Sequence, residues 1–247
     1  MSNTYLLRDL KNKSVLVLGN RVGKAIRELA VRMSGGKGQL IVTDISNEHF
    51  DALRADLAAF HLSVEFIRTS PLKLAGIRPG SIDLVICNYA LSAINAIAGQ
   101  GELALHKFYE VLKPGGTLYI EEELPFYMAA SASQAIWAEK SRLRKTTQLL
   151  TTGRHANDYQ PDVLETLLTQ AGFEKVEVSD EIATIVTADW WADFVHQLTI
   201  SLDSLNDETL QAGLFARMER LKSAAEQAGS MEVPFITLTA LKPWRIE

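Results

Sequence analysis

Residues 14–24 read S-V-L-V-L-G-N-R-V-G-K, and this short stretch decides how the rest of the chain is interpreted. A run of β-branched and other apolar residues that ends at Gly19 is typical of a buried strand followed by a turn. Apolar residues then recur at helical spacing as far as Met33. The stretch therefore predicts a strand, a glycine-containing turn and a helix, as at the start of an α/β sheet.

The same alternation continues along the chain. We predict further strands at residues 40–43, 63–68, 82–88 and 117–121, with helices at 47–60 and 103–112 among them. K-P-G-G at residues 113–116 ends the second of these helices, because proline cannot continue a helix and glycine accepts a positive φ. Five strands separated by helices predict a mostly parallel, doubly wound sheet.

Beyond residue 121 the pattern becomes mainly helical. Helices are predicted at residues 128–151, 161–171, 189–205 and 208–227, and strands at 174–178 and 235–241. No repeat, low-complexity tract or linker interrupts the pattern, so we predict a single domain over residues 1–247. Segments at about 122–160 and 187–232 are expected to form a helical cap that sets substrate selectivity.

The composition narrows the classes of function. The chain has 247 residues with 25 basic and 30 acidic side chains, and its formal net charge of −5 argues against binding to nucleic acid. The single cysteine, Cys87, excludes an internal disulfide, and five scattered histidines argue against a built metal site. The N-terminus lacks an apolar signal segment and no run of about 18 apolar residues occurs, so we expect no membrane contact and a cytoplasmic location.

Polar and glycine residues follow several of the predicted strands, where a doubly wound sheet binds its ligands. Gly19 and Gly23 let the backbone approach a ligand, and the helix behind them offers free N–H groups to an anion. Asp44 follows about 20 residues later, where a carboxylate accepts hydrogen bonds from ribose hydroxyls. Each feature alone also fits a simple turn or a helix cap, but their joint spacing favours a nucleotide site.

Five segments follow one another along the chain: V-L-V-L-G-N-R-V-G (15–23), I-V-T-D (41–44), S-I-D-L-V-I-C-N-Y-A-L (81–91), Y-E-V-L-K-P-G-G-T-L-Y-I (109–120) and L-L-T-Q-A-G-F-E-K-V-E-V (167–178). This order resembles the class I S-adenosylmethionine-dependent methyltransferases over about residues 12–180. F-I-T-L-T-A-L-K-P (235–243) resembles their last strand. A nicotinamide-dependent oxidoreductase is disfavoured, because K-P-G-G would go unexplained and no Tyr-x-x-x-Lys pair follows the sheet.

The resemblance implies a seven-stranded sheet whose last strand is antiparallel, with S-adenosylmethionine lying across strands one, two and four. By position, Gly19 and Gly23 would flank the methionine part of the cofactor, and Asp44 would hold its ribose. Asn88 and Tyr89, which follow strand four, would face the methyl-donor pocket. The implied cofactor-binding residues are Gly19, Asn20, Arg21, Gly23, Asp44, Ile45, Ser70, Asn88 and Tyr89.

The sequence departs from the family pattern at three positions. Val17 stands where an acidic residue is common, Arg21 replaces the middle glycine of the loop, and Ser70 replaces an acidic residue that caps the adenine amine. Two interpretations stay open. Either Arg21 reaches the methionine carboxylate as a charged fork, or the pocket has decayed and the protein acts by binding or partner interaction without catalysis.

Candidate catalytic residues follow the fifth strand and lie in the polar loop 152–160. Within the run of glutamates at residues 121–123, we select Glu122 as a general base or amine-binding group. These glutamates fit equally well as solvent-exposed residues at the rim of the site, or as ion-pair partners of Arg142 and Arg144. His155 has the most suitable pKa for a base, although loop histidines are more often surface residues. Tyr159 follows in the same loop, and further aromatic surface is expected from Phe126, Tyr127, Trp137, Trp190 and Trp191.

These observations predict methyl transfer from S-adenosylmethionine to a small-molecule acceptor. The sulfonium is already activated, so alignment does most of the work and the sequence discloses the donor better than the acceptor. The basic stretch 140–145 fits a solvated face or an anionic partner, and the apolar stripe in 190–205 fits a homodimer surface or packing on the sheet.

Overall fold

The computed structural model describes residues 9–19, 23–124 and 129–244. In these ranges, seven strands form one sheet in the order β3-β2-β1-β4-β5-β7-β6. The strands are β1 (Ser14–Leu18), β2 (Gln39–Asp44), β3 (Ser63–Arg68), β4 (Ile82–Asn88), β5 (Leu112–Glu123), β6 (Glu174–Val186) and β7 (Ser230–Leu241). The helices are α1 (Gly23–Met33), α2 (Phe50–Leu57), α3 (Leu91–Ile94), α4 (Gln100–Val111), α5 (Ala132–Thr152), α6 (Pro161–Gln170), α7 (Thr187–Asp203) and α8 (Glu208–Ala228).

The sheet is parallel from β3 to β5 and turns antiparallel at β7. The pairs β2–β3, β1–β2, β1–β4 and β4–β5 are all parallel. In contrast, the N–H of Gly115 near the start of β5 donates to the carbonyl of Lys242, at 2.8 Å, just after β7 ends. The N–H of Leu124 just after β5 donates to the carbonyl of Pro234, at 3.0 Å, in the first half of β7. The predicted fold class, a doubly wound and mostly parallel seven-stranded sheet, is therefore confirmed.

The central strands are apolar throughout because helices cover both faces of a parallel sheet. On one face, alternate residues of β1, β2 and β4 pack against the apolar stripe of α1, which repeats at helical spacing. The members of this core from β1, β2, β4 and α1 include Val15, Val17, Ile26, Leu29, Met33, Leu40, Val42, Leu84 and Ile86. The first strand and helix thus bury each other, and their meeting point is the loop after β1.

The chain forms two compact units. Unit 1 contains Met1–Glu122, Tyr159–Ser179 and Ile236–Glu247, and unit 2 contains Glu123–Asp158 and Asp180–Phe235. Unit 2 has its own core of side chains from α5, α7 and α8: Ile136, Trp137, Leu143, Phe194, Leu198, Leu202, Leu214, Met218 and Leu221. Most of the predicted cap segments, at about residues 122–160 and 187–232, belong to unit 2. That the chain is a single domain, and that these segments form a cap, stay predictions.

Several predicted element bounds were wrong. β5 begins at Leu112, directly after α4, so K-P-G-G lies within a strand and not in a loop before it. β6 continues to Val186 and β7 begins at Ser230, so both of these strands are longer than predicted. Strand pairing extends these segments beyond the apolar runs that mark them in the sequence. The four-residue helix α3 was not predicted, because it is too short to show a helical period.

No helix within the described ranges combines the length and the apolar character that crossing a bilayer requires.

Candidate functional site

The candidate site lies in unit 1, at the carboxyl ends of the parallel strands. The order of strands reverses between β1 and β4, since β2 and β3 follow on one side and β5 on the other. Ligands of doubly wound sheets bind in the crevice that such a reversal leaves. Residues at the ends of β1, β2, β3, β4 and β5 are therefore the candidates.

The end of β1 leaves open space beside the backbone. Gly19 has a φ of +85°, and its N–H donates to the carbonyl of Thr43 at 2.9 Å. A Cβ on Gly19 would have no atom of a described residue within 4 Å, so the positive φ explains the glycine. Gly23 is the first residue of α1, and a Cβ there would make only an ordinary contact of 3.6 Å with Leu53. The predicted residues Asn20 and Arg21 lie outside the described residues.

Asp44 ends β2 and organises the turn that follows. Its Oδ1 accepts a hydrogen bond from the N–H of Ser46 at 3.0 Å, and its carbonyl accepts from the N–H of Thr69 at 2.9 Å. Because α2 begins only at Phe50, Asp44 does not cap that helix. Ile45 is 68% exposed, and its carbonyl accepts from Nε of Arg68 at 3.1 Å. Asp44 thus stands at the strand end where a ribose-binding carboxylate is expected.

Ser70 shapes the turn after β3. Its hydroxyl oxygen accepts a hydrogen bond from the N–H of Leu72 at 3.2 Å. The neighbouring Thr69 hydroxyl accepts from the N–H of Ala75 at 2.9 Å. A hydroxyl oxygen has two lone pairs, so the contact to Leu72 leaves one for the adenine amine that the resemblance assigns to Ser70.

Asn88 provides an unsatisfied acceptor at the end of β4. It is 7% exposed, and its Oδ1 has no hydrogen-bond partner among the residues that the structure describes. Buried polar atoms in folded proteins almost always have a partner. A ligand that brings an N–H or O–H group to this point would satisfy the amide oxygen.

Glu121 forms a buried network that the sequence did not predict. It is 1% exposed and pairs in register with Asn88. The hydroxyl of Tyr89 donates to its Oε1, and the hydroxyl of Tyr119 donates to its Oε2 at 3.0 Å. Tyr89 has a φ of +53°, which a tyrosine adopts only when its surroundings hold it there. The Glu121 carboxylate and the 2.7 Å hydrogen bond from the Tyr89 N–H to the Glu121 carbonyl hold Tyr89 at the strand end.

Glu122 lies on the opposite face of β5, because successive strand residues alternate. It is 7% exposed, and its Oε1 accepts from the N–H of Leu91 at 2.6 Å, so it holds the start of α3. Burial raises the pKa of the fully buried Cys87 thiol, and the charge of Glu122 raises it further. Cys87 therefore stays a neutral thiol and is unsuited to nucleophilic chemistry.

Tyr159 and Glu102 form a second hydroxyl–carboxylate pair in unit 1. The Tyr159 hydroxyl donates to Oε2 of Glu102 at 3.1 Å. Burial raises the pKa of Tyr159, and the charges of Glu102 and Glu122 raise it further, so this residue is a hydrogen-bond donor and not a base at neutral pH. Gly101 is required for the pair, because a Cβ there would overlap the Tyr159 hydroxyl. Neither Glu102 nor Gly101 was predicted as a site residue, because no local sequence pattern distinguishes them.

His155 belongs to unit 2. Its Nδ1 lies 2.8 Å from the carbonyl oxygen of the neighbouring Ala156. In the tautomer that has its proton on Nδ1, this nitrogen donates a hydrogen bond to that oxygen. Asp158 in the same loop forms an ion pair with Lys145. The catalytic function of His155 stays a prediction.

The basic side of α5 is paired within unit 2. Arg144 forms an ion pair with Glu123 at 3.3 Å. Pairing with Arg144 was one of the alternatives predicted for the glutamates at residues 121–123. Lys140 does not lie on a solvated face, because its Nζ stands 5.2 Å from the centre of the Trp190 ring, and burial lowers its pKa. Trp137 is buried in the unit 2 core, with Trp190 and Trp191 partly buried against it. Phe126 and Tyr127 lie outside the described residues.

The strand order and the polar strand ends define the class: an α/β domain with the class I methyltransferase arrangement. Residues 15–116 match the family model of a methyltransferase domain. The predicted resemblance to methyltransferases is thereby confirmed over this segment of the chain.

Comparison with known proteins agrees with this family. The chain is 27% identical over 175 residues to carboxy-S-adenosyl-L-methionine synthase from Hydrogenovibrio crunogenus, a match that covers 70% of this chain and 62% of that enzyme. It resembles the structure of a provisionally assigned methyltransferase from Bacillus halodurans, with a TM-score of 0.64, 16% identity and coverage of 97% and 98%. It also resembles phosphoethanolamine N-methyltransferase 2 of Haemonchus contortus in complex with S-adenosylhomocysteine, with a TM-score of 0.57, 17% identity and coverage of 98% and 52%. At these identities the structures show a shared fold.

Proposed function

We propose that this protein transfers the methyl group of S-adenosylmethionine to a small-molecule acceptor. The methyltransferase family and the ligand-bound neighbours support S-adenosylmethionine as its cofactor. The observation that carries the proposal is the buried Oδ1 of Asn88 at the point where the strand order reverses, which has no hydrogen-bond partner among the described residues. An acceptor left without a donor in this crevice is what a polar ligand would complete.

The residues around the crevice fit an adenosyl amino acid. Asp44 would accept from the ribose hydroxyls, and no described residue would obstruct the methionine part of the cofactor beside Gly19. Asn88 would accept from a ligand donor at the end of β4. The bound cofactor supplies a methyl group already activated on a sulfonium, so positioning is the main task of the protein.

The protein's own residues would position the acceptor and control its charge. Glu121 and Glu122 place two buried carboxylates at the end of β5, and their field favours neutral or cationic acceptors over anionic ones. Glu122 is the proposed base for an acceptor proton. Tyr159, whose raised pKa keeps its hydroxyl protonated, is the proposed positioning residue, through the oxygen lone pairs that its hydrogen bond to Glu102 leaves free. His155 stays a third catalytic candidate.

The relative from Hydrogenovibrio crunogenus motivates a second candidate function, the synthesis of a carboxylated S-adenosylmethionine. A carboxylate added to the methyl group would be repelled by Glu121 and Glu122 if it lay beside the end of β5. The charge of the described site therefore favours simple methyl transfer.

A thermal unfolding experiment tests the proposal. Bound ligand at 100 times its Kd adds about 2.7 kcal/mol of stability, which raises the Tm by roughly 5–10 °C for a chain of this size. We expect this shift with S-adenosylhomocysteine and none with adenosine monophosphate at equal concentration. The absence of a shift at millimolar S-adenosylhomocysteine would contradict the proposal and favour a non-catalytic protein.

Mass spectrometry then separates the two candidate reactions. Incubation with S-adenosylmethionine and a mixture of small amines, alcohols and carboxylates should yield an acceptor heavier by one methyl group, together with S-adenosylhomocysteine. Recovery of carboxylated S-adenosylmethionine would instead establish the second candidate.

A further inference from the structure

Unit 2 contains a groove of about 620 Å³ between the first turns of α5 and the last turns of α8. The two helices run in opposite directions, since Glu139 of α5 contacts Arg217 of α8 at 2.8 Å, and Ser131 just before α5 contacts Glu232 just after α8 at 2.9 Å. Short alanine side chains face each other here, and the buried Ile136 and Leu221 lie beside them. The apolar part of the lining is Ala132, Ala135, Ile136, Leu221, Ala224 and Ala228.

The groove has an excess of positive charge among its lining residues. Arg217 donates to Oε1 of Glu139 through Nε at 3.1 Å and Nη2 at 2.8 Å. Arg142 donates to the other oxygen of the same carboxylate at 3.2 Å. Arg220 also lines the groove, is exposed, and has no hydrogen bond or ion pair with any residue that the structure describes. One carboxylate thus pairs with two arginines, and a third guanidinium beside an apolar wall has no anionic partner among the described residues.

We propose that this groove binds an amphipathic carboxylate, a molecule with an unbranched apolar body and one anionic head. The alanine-lined walls would contact the apolar body, and the guanidinium of Arg220 would bind the head group through two parallel N–H donors. The volume lies within the range of about 300–1,000 Å³ that small-molecule sites occupy. The charge complementarity at Arg220 favours this occupant over an apolar helix of a second copy, which would leave the guanidinium without an anion.

Calorimetric titration of the full chain with dodecanoate tests the proposal. We expect saturable binding at one site per chain, and no saturable binding of dodecyltrimethylammonium, which has the same chain and the opposite charge. Arg220→Ala should weaken dodecanoate binding about 10- to 100-fold, as expected when a charged hydrogen-bonding group is removed. Lys222→Ala removes a positive charge from the same helix outside the groove and should leave the affinity unchanged.

A second pair of variants tests the apolar walls. Ala224→Leu places a larger side chain in the groove and should abolish binding, whereas Ala216→Leu makes the same change at an exposed position of α8 that does not line it. A melting curve for each variant verifies that it is folded. Absence of dodecanoate binding, equal binding of the cationic amphiphile, or unchanged binding by Arg220→Ala would overturn the proposal. A dimer in size-exclusion chromatography that Ala224→Leu dissociates would also overturn it, since a second copy would then occupy the groove.

Discussion

At the scale of single residues, the ends of β4 and β5 are held by one carboxylate. Glu121 accepts two tyrosine hydroxyls, and one of these tyrosines, Tyr89, has a left-handed backbone conformation. Such a conformation costs of order 1–3 kcal/mol and persists only where the surroundings determine it. The network therefore stabilises a backbone shape that faces the proposed cofactor site.

Removing the Tyr89 hydroxyl should destabilise the fold. In Tyr89→Phe, Oε1 of the buried Glu121 loses its donor, and we expect the free energy of unfolding to fall by about 1–3 kcal/mol in urea titrations. Tyr109→Phe is the control, because the Tyr109 hydroxyl makes no hydrogen bond within the described ranges, and its effect should stay within about 0.5 kcal/mol. Equal losses in both variants would show that Tyr89 does not depend on Glu121.

Removing the Asp44 carboxylate should weaken cofactor binding. Hydrogen bonds to a charged group are worth about 1.5–3 kcal/mol, so Asp44→Ala should lower the affinity for S-adenosylhomocysteine roughly 10- to 100-fold in calorimetry. Asp51→Ala makes the same charge change on an exposed turn of α2 and should leave the affinity unchanged. Unchanged affinity in Asp44→Ala would mean that the ribose is held elsewhere.

At the scale of secondary-structure elements, Asp83 ties three strands together at the edge opposite the site. Its Oδ2 accepts from the N–H of Ser14 in β1 at 2.9 Å and from Nζ of Lys113 in β5 at 2.6 Å. Burial by itself would raise the pKa of Asp83. The hydrogen bonds from Lys113 and Ser14, with the charges of Lys113 and Lys13, outweigh it and lower the pKa below its ordinary value of 3.8.

This lowered pKa predicts how stability depends on pH. A carboxyl group whose pKa is lower in the folded chain stabilises the fold above the unfolded-state pKa, and that stability is lost as the pH falls through the folded-state pKa. Asp83→Asn should therefore cost about 1–2 kcal/mol at pH 6–8, and the difference from the native chain should shrink as the pH falls below 3.8 and through the lower folded-state pKa.

A surface carboxylate provides the matched control for Asp83. Asp56→Asn alters an exposed pair with Arg27 at 3.5 Å and should change the free energy of unfolding by less than about 0.5 kcal/mol at any of these pH values. A loss in Asp83→Asn that stays constant down to pH 2 would contradict an electrostatic origin.

At the scale of the whole molecule, the two proposed ligands belong to different compact units. The proposed cofactor residues lie in unit 1, and the groove between α5 and α8 lies in unit 2. A bound ligand protects amides close to its own site from hydrogen exchange.

Hydrogen exchange should therefore give two separate footprints. We expect S-adenosylhomocysteine to protect residues 43–45, 69–72 and 88–91, and dodecanoate to protect residues 132–139 and 217–228. Mass spectrometry of peptides after timed deuteration measures both. If both ligands protect the same peptides, the assignment of separate sites is wrong.

The order of strands and helices could be predicted from the sequence, because local periodicity and turn residues determine it. The runs at residues 14–18 and 82–88 have the composition of buried strands, and the helix after Gly19 repeats its apolar residues at a regular spacing. The polar strand ends, Asp44 and Asn88 among them, could be found in the same way. The lengths of β6 and β7 were underestimated, since the length of these strands depends on pairing with neighbours and not on their own composition.

By itself, the sequence determined the alternating α/β pattern, the strand ends that carry candidate ligand-binding residues and the resemblance to methyltransferases, all of which depend on neighbouring residues. Only the tertiary structure decided that Glu121 holds Tyr89, 32 positions away, that Gly101 makes room for Tyr159, and that Arg220 lies beside an open groove. The physical reason is that such contacts depend on strand register and helix packing. These bring together residues that no local pattern links.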